Sequence, residues 1–326
     1  GFAIMNTAAY NNNTGDTTKL ADREGEVMKM ALATCATLAD FEKMLTDMPK
    51  PIGVDANFGV IDAQGGAAYY ETGNFGFKKI DANDPALAPF GLLIRTNHSF
   101  TGNPEVGFGY IRYAAASEAL NTALAQRELD PQYLFNNLSR NLKHSLTNIN
   151  LRENLPASAD DATFTYFEDY IPRPSTASVM LVVGVAKGED PSNAMMWTLA
   201  GFPLTTVAVP VWVSAGREMP AVVSMKDNLH SPLCDAGMTL KRQLFPITRG
   251  SGPKYLNVAR LLNSENTGII QKLAPVEKEI FSKTAQIVAA MPPKGKQQKE
   301  MILEHYKWLD SYIIQSYREL FGIDVN

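Results

Sequence analysis

The stretch 55–100 constrains the fold more than any other part of the chain. Residues 56–62 alternate, with Phe58, Val60 and the smaller Ala56 on one side and Asn57, Gly59 and Ile61 on the other. That is the pattern of a half-buried strand. Asp62-Ala63-Gln64-Gly65-Gly66 follows, and paired glycines reach positive φ without steric conflict, so a turn is expected. Residues 67–72, rich in Ala and Tyr and carrying Glu71, form the returning strand of a hairpin. After a Pro- and Asp-rich loop at 81–89, residues 91–96 are expected to make a third strand that ends in Asn97-His98.

The chain begins in another strand, with Phe2, Ile4 and Asn6 on one face. Residues 23–35 carry Val27, Met30, Ala31 and Cys35 on a helical stripe. Thr37, with Asp40 three residues on, caps the next helix. Residues 101–109 are a Gly-rich loop, and 110–126 return to helical spacing. Asp130-Pro131 opens another helix in cap and first-turn order. Residues 148–170 are irregular and end in the aromatic and acidic run FTYFEDY. Three strands follow at 178–186, 194–200 and 206–214. The first is Val-rich and nearly continuous, so both its faces are expected to be covered. Ser231-Pro232 starts a helix, and 255–262, 269–290 and 297–321 read as helical. The last two form an αα-hairpin that packs on its own domain or on another subunit. Strands in two clusters, 56–97 and 178–214, with helices on either side indicate an α+β fold.

Composition excludes several classes. Net charge is −4 and no basic block recurs, so nucleic acid is not an expected partner. Apolar runs are strand-length and broken by Pro or Gly, so no membrane span is expected. Cys35 and Cys234 are too few for a disulfide framework. The four histidines are scattered and no metal-ligand spacing occurs, so no metal or cofactor is expected. The first residue is Gly, and localisation is not written in the N-terminus.

The chemistry centres on Thr96-Asn97-His98. A carboxamide held on a rigid strand can donate to a developing oxyanion, and one such donor is worth ~3–4 kcal/mol. The plainer alternative is that Asn97 begins a turn. The residues Ala56-Asn57-Phe58, Asp62-Ala63, Gly65, Ala67-Ala68, Glu71 and Thr96-Asn97-His98 resemble the acyl-coenzyme A:6-aminopenicillanic acid acyltransferase family. Thr176-Ala177-Ser178-Val179 and Trp197-Thr198-Leu199-Ala200-Gly201-Phe202-Pro203 extend the resemblance over most of residues 1–230. That family belongs to the N-terminal-nucleophile (Ntn) hydrolases, with penicillin V acylase and choloylglycine (bile salt) hydrolase as more distant relatives.

The resemblance implies a four-layer αββα sandwich over residues 1–250, with 251–326 as a helical extension packed on it. It implies hydrolysis or acyl transfer at the linear amide C–N bond of a small acylated amine, through an acyl-enzyme. The oxyanion donor lands on Asn97, with Asn6 as a second residue near the site. Arg95 and His98 are expected to support or line it, and Ser178, with Thr176, to line the pocket. In an Ntn hydrolase the first residue attacks and its own α-amine is the base. Gly1 has no nucleophile, so the resemblance implies that the attacking Cys lies outside these residues. Cys35 reads instead as a buried hydrophobe, and Cys234 as a thiol in the first turn of a helix. A catalytically inactive Ntn-fold binding or scaffold module is the alternative from another class.

Overall fold

The computed structural model describes residues 1–225 and 229–325. The chain mixes helix and sheet and divides into two compact units. One is Gly1–Ala114 with Gly184–Ala194, the other Ala115–Val183 with Met195–Asn326. The division therefore falls near residue 114 and not near 250. Residues 251–326 belong to the second unit rather than forming an extension of their own.

The first unit holds β1 (Ala3–Ala8), α1 (Glu24–Thr34), α2 (Leu38–Asp47), β2 (Ala56–Ile61), β3 (Ala67–Thr72) and β4 (Phe77–Asp81). The strands form one antiparallel sheet in the order β1-β2-β3-β4. Alternation along β2 and β3 puts Phe58, Val60, Ala68 and Tyr70 on one face, where they form a core with Val27, Ala31, Phe41 and Leu45 of the two helices. The Phe41 ring meets Phe58 and Tyr70 edge-on, at 5.8 and 5.1 Å between centroids, a favourable geometry for aromatic quadrupoles.

Local chemistry fixes the helix start and the hairpin. Thr37 Oγ1 accepts from the Asp40 N–H, and the Asp40 carboxylate accepts from the Thr37 N–H, a reciprocal cap for α2. Asp62 Oδ1 accepts from Gln64 and Gly66 N–H, and Oδ2 from Leu38 N–H. One carboxylate thus closes the β2–β3 turn and caps α2. Gly65 sits at φ +85°, and a Cβ on Gly66 would lie 2.7 Å from Asp62 Oδ2, so both glycines are required.

The expected third strand at 91–96 does not form. Its place beside β3 is taken by β4, whose Phe77, Lys78, Lys79, Ile80 and Asp81 pair with 68–72. Gly91 turns at φ +63°, and the following backbone spends its polar groups on side chains instead of a strand ladder, as described below.

The second unit takes up most of α3 (Tyr110–Gln126), then α4 (Pro131–Tyr133), which continues as a π-helical turn over Leu134–Ser139. Next come β5 (Lys143–His144), β6 (Ile149–Asn150), β7 (Phe164–Tyr166), β8 (Ser178–Val183), β9 (Met195–Ala200) and β10 (Val209–Trp212). After α5 (Pro232–Leu244), β11 (Tyr255–Asn257) pairs with β7, and α6 (Val258–Leu261), α7 (Ile269–Ala289) and α8 (Lys296–Phe321) complete the unit. Trp197, Leu199, Phe202, Trp212, Leu240 and Ile280 belong to one core with Ile302, Leu309 and Ile313 of α8. The αα-hairpin thus buries its apolar stripes within its own unit.

Two further expectations are corrected. Residues 255–262 open as a strand, because the Tyr255–Asn257 backbone finds ladder partners in β7 before the helix begins. β8 is not covered on both faces. It is the edge of the sheet β10-β9-β8, and Met180, Val182 and Val183 are exposed. Its apolar run is long because one face packs inward and the other does not alternate to polar. Among the described residues, no helix is long and apolar enough to cross a membrane.

Candidate functional site

Thr7, Asn57 and Glu71 are direct partners across β1, β2 and β3, so they stand in a row on one face of the sheet. This is the face opposite Phe58 and the helices. Residues 95–101 cross that row, and each strand contributes one holding side chain. Thr7 Oγ1 donates to Thr96 O at 3.0 Å. Asn57 Nδ2 donates to His98 O and Thr96 O, and its Oδ1 accepts from Ser99 Oγ at 2.6 Å. Glu71 accepts from Arg95 Nε at 2.7 Å, from the Phe100 and Thr101 N–H groups and from the Thr101 hydroxyl. Asn11, just beyond β1, donates to Ser99 O and Asn103 O and accepts from Ser99 N–H.

Glu71 and Arg95 are both buried, with side-chain exposures of 0% and 4%. Burial alone would raise the Glu71 carboxyl. The Thr101 hydroxyl, the Phe100 and Thr101 N–H groups and the Arg95 charge outweigh it and hold the group below the usual carboxylate range. Arg95 also lies over the Phe100 ring, 4.3 Å from its centroid.

Asn97 lies at the centre of the segment, half-buried. Its Nδ2 donates to Ala8 O at 2.9 Å and to Thr7 Oγ1 at 3.2 Å, and its Oδ1 accepts from Arg112 Nη2 at 2.8 Å. A guanidinium on one end and a carbonyl on the other leave only this orientation of the amide. His98 is buried. Its Nδ1 lies 3.0 Å from Phe108 O, and its ring stacks on Tyr110 at 3.9 Å between centroids. Phe108 N–H donates back to Asn97 O. Residues 101–109, Gly-rich in sequence, are thus tied to the Asn97 segment at several points. Gly107, at φ +103°, comes so close that a Cβ there would lie 2.9 Å from His98 Cβ.

The sheet brings Asn97, Arg95 and His98 together with Glu71. Asn6 is on β1 one residue from Thr7, hence on the opposite face, and is exposed. Ser178 and Thr176 belong to the second unit, with Ser178 exposed at the start of β8. Cys234 lies in the first turn of α5, but burial, then the Asp235 charge, push its thiol pKa up, which disfavours the thiolate. Among the described residues, no group of three or more His, Cys, Asp or Glu is placed to hold a metal ion.

Sequence reasoning missed Thr7, Asn11 and Arg112, and took Asn57 only as part of a pattern. Asn57 carried a legible signal, a carboxamide on the polar side of an otherwise apolar strand. Arg112, in the first turn of a helix, had none. No family model, no curated protein and no solved structure matches the chain.

Proposed function

We propose that the chain is an Ntn-type amidohydrolase or acyltransferase with the αββα fold that the motif resemblance implies. It acts on the linear amide C–N bond of a small acylated amine through an acyl-enzyme. The observation that carries this reading is the Asn97 carboxamide, oriented from both ends. Arg112 on Oδ1 draws electron density from the amide nitrogen and makes both N–H groups better donors. The bond to Thr7 is the longer of the two, and Thr7 keeps its own donation to Thr96 if that N–H is released. The same N–H is the one offered to a developing oxyanion. Arg95, His98 and Glu71 fix the segment, and the attacking group is assigned to no residue of this sequence.

The second reading, a binding or scaffold module, is favoured by one specific observation: both Asn97 N–H groups already have protein acceptors. Asn97→Ala in the full natural chain separates the two. Assayed on a panel of acylated amines, the variant is expected to lose ~100–1,000-fold in turnover. Its stability should fall by about 1–3 kcal/mol, because Ala8 and Arg112 lose a partner. Unchanged turnover rejects the oxyanion role. Absence of turnover on every amide with the unmutated chain favours the binding module.

A further inference from the structure

The β3–β4 turn and the chain beyond β1 line a polar groove of about 280 Å³, with Asn12, Asn13, Asn74, Phe75, Lys78 and Thr101 among its lining residues. One water takes up ~10–15 Å³ of such space, so the groove has room for about twenty waters, and hence for one monosaccharide. Its walls are tied down. Asn74 N–H donates to Asn13 Oδ1, Asn74 Oδ1 accepts from Gly53 N–H, and Ile52 N–H donates to Asn74 O. Gly73 N–H closes the turn on Gly76 O, and a Cβ on Gly73 would lie 2.7 Å from Asn13 Oδ1. Asp55 and Asp16, which are bonded to these walls, are already occupied. Asp55 accepts from Asn12 and Asn13 N–H, and Asp16 from Thr18 N–H and Asn74 Nδ2.

The lining side chains, by contrast, keep polar groups unused. Lys78 and Lys79 are successive residues of β4 and point to opposite faces. Lys79 has Glu42 and Asp81 at 2.9 and 3.3 Å, whereas Lys78 is exposed and has no ion-pair partner among the described residues. Across the ladder Lys78 faces Glu71, whose oxygens are taken by Arg95, Phe100 and Thr101. Asn12 gives one amide hydrogen to Thr72 O at 3.3 Å, and its other hydrogen and its oxygen have no partner among the described residues. Thr101 donates its hydroxyl hydrogen to Glu71, so it has only lone pairs to offer. Phe75 stands at the tip of the turn, 66% exposed and touching no other ring among the described residues, where a small polar residue is the usual choice. A lysine on an edge strand can serve simply to repel another sheet, but that role asks for neither an exposed ring nor a free carboxamide beside it.

We propose that this groove binds an anionic pyranose, a sugar acid whose carboxylate pairs with Lys78. Its hydroxyls donate to Asn12 Oδ1 and Thr101 Oγ1 and accept from Asn12 Nδ2, and the C–H face of the ring lies on Phe75. Simpler ligands leave part of the groove unmatched. A neutral sugar leaves Lys78 unanswered. An apolar carboxylate sets carbon against the Asn12 amide and the Thr101 oxygen, which then lose water without gaining a partner. The site does not depend on the amidohydrolase reading. Glu71 and Thr101 also hold the Asn97 segment, so an occupant of the groove steadies that segment as well.

The test is calorimetric titration of the full natural chain with methyl glucuronide, methyl glucoside and benzoate, the last a carboxylate without hydroxyls. The glucuronide is expected to bind at least about 10-fold more tightly than either control. Lys78→Met should weaken it about 10-fold, to the level of the glucoside, and Phe75→Ala about 5-fold, with the melting temperature unchanged in both. Bound glucuronide should also slow hydrogen exchange at the Phe100 and Thr101 amides. A trisaccharide ending in glucuronate separates two sources of the ligand. Tighter binding than methyl glucuronide assigns the groove to the end of a glycan, and equal or weaker binding assigns it to a free sugar acid. Absence of glucuronide binding, equal binding of glucoside or benzoate, or indifference to Lys78→Met overturns the proposal. Each of these outcomes is read without turnover of any amide, so the amidohydrolase reading stands or falls separately.

Discussion

Among the described residues, each unit buries one carboxylate–guanidinium pair, and the two pairs are built differently. In the second unit, Arg140 is bidentate to Glu277 and also donates to Pro203 O and Thr206 O, while Glu277 takes the Ala208 N–H as well. The space beside it is about 20 Å³, room for one water at most. In the first unit, Glu71 meets Arg95 through Nε, and its other partners all lie at Phe100 and Thr101. Glu71 and Thr101 also line a groove of about 280 Å³ with Asn12, Asn74, Phe75 and Lys78. A buried ion pair is therefore not in itself a sign of a site. The Arg140 pair joins core elements from every side. The Glu71 pair holds a single crossing segment against a sheet, beside open space and exposed rings.

The same substitution in both units would measure this difference. Glu277→Gln leaves Arg140 buried, enclosed and without a counter-charge, and is expected to cost about 3–5 kcal/mol. Glu71→Gln leaves Arg95 equally buried, but the adjacent groove admits water, so the cost should be smaller, about 2–3 kcal/mol. Denaturant midpoints of the two variants give the comparison. Glu71→Gln should also speed hydrogen exchange at the Phe100 and Thr101 amides, whose acceptor it weakens. Equal losses, with no local change in exchange, would mean that both pairs are merely structural.

The sequence read well where a local rule decides. Thr37 with Asp40 fixed one helix start. The apolar alternation from 56 to 72 fixed a hairpin whose observed strands end within one residue of the expected ones. It read poorly where distant side chains decide. Residues 91–96 have strand composition, yet Thr96 O is taken by Thr7 and Asn57, and Arg95 by Glu71, so the backbone crosses the sheet and does not join it. β4 was overlooked because Lys78 and Lys79 dilute its apolar pattern, although Ile80 is buried. Asn97 was legible as a residue of interest. Its three partners come from Thr7, Ala8 and Arg112, up to 90 positions away in one case and across a glycine-rich loop in another, and no periodicity announces such contacts.

A further buried titratable group, outside both pairs, sharpens the contrast from the side of the second unit. His305 of α8 is buried against Trp212 and stacked on Trp308. Its Nε2 lies 3.0 Å from Thr284 Oγ1 of α7, and its Nδ1 has no partner among the described residues. Among the described residues, no carboxylate answers it as Glu277 answers Arg140. Burial, with a smaller contribution from the Lys283 charge, pushes its pKa down to about 4. An unfolded histidine titrates near ~6.5. Between those values the unfolded chain holds the proton and the folded one does not, so stability rises with pH across this window and is lost as pH falls through it. At pH 5 the loss relative to pH 7.5 should be about 2 kcal/mol. His305→Gln, which cannot take the proton, should flatten that slope in urea denaturation from pH 5 to 7.5. A gap between the two proteins that stays constant with pH would mean that His305 is solvated enough to charge in place.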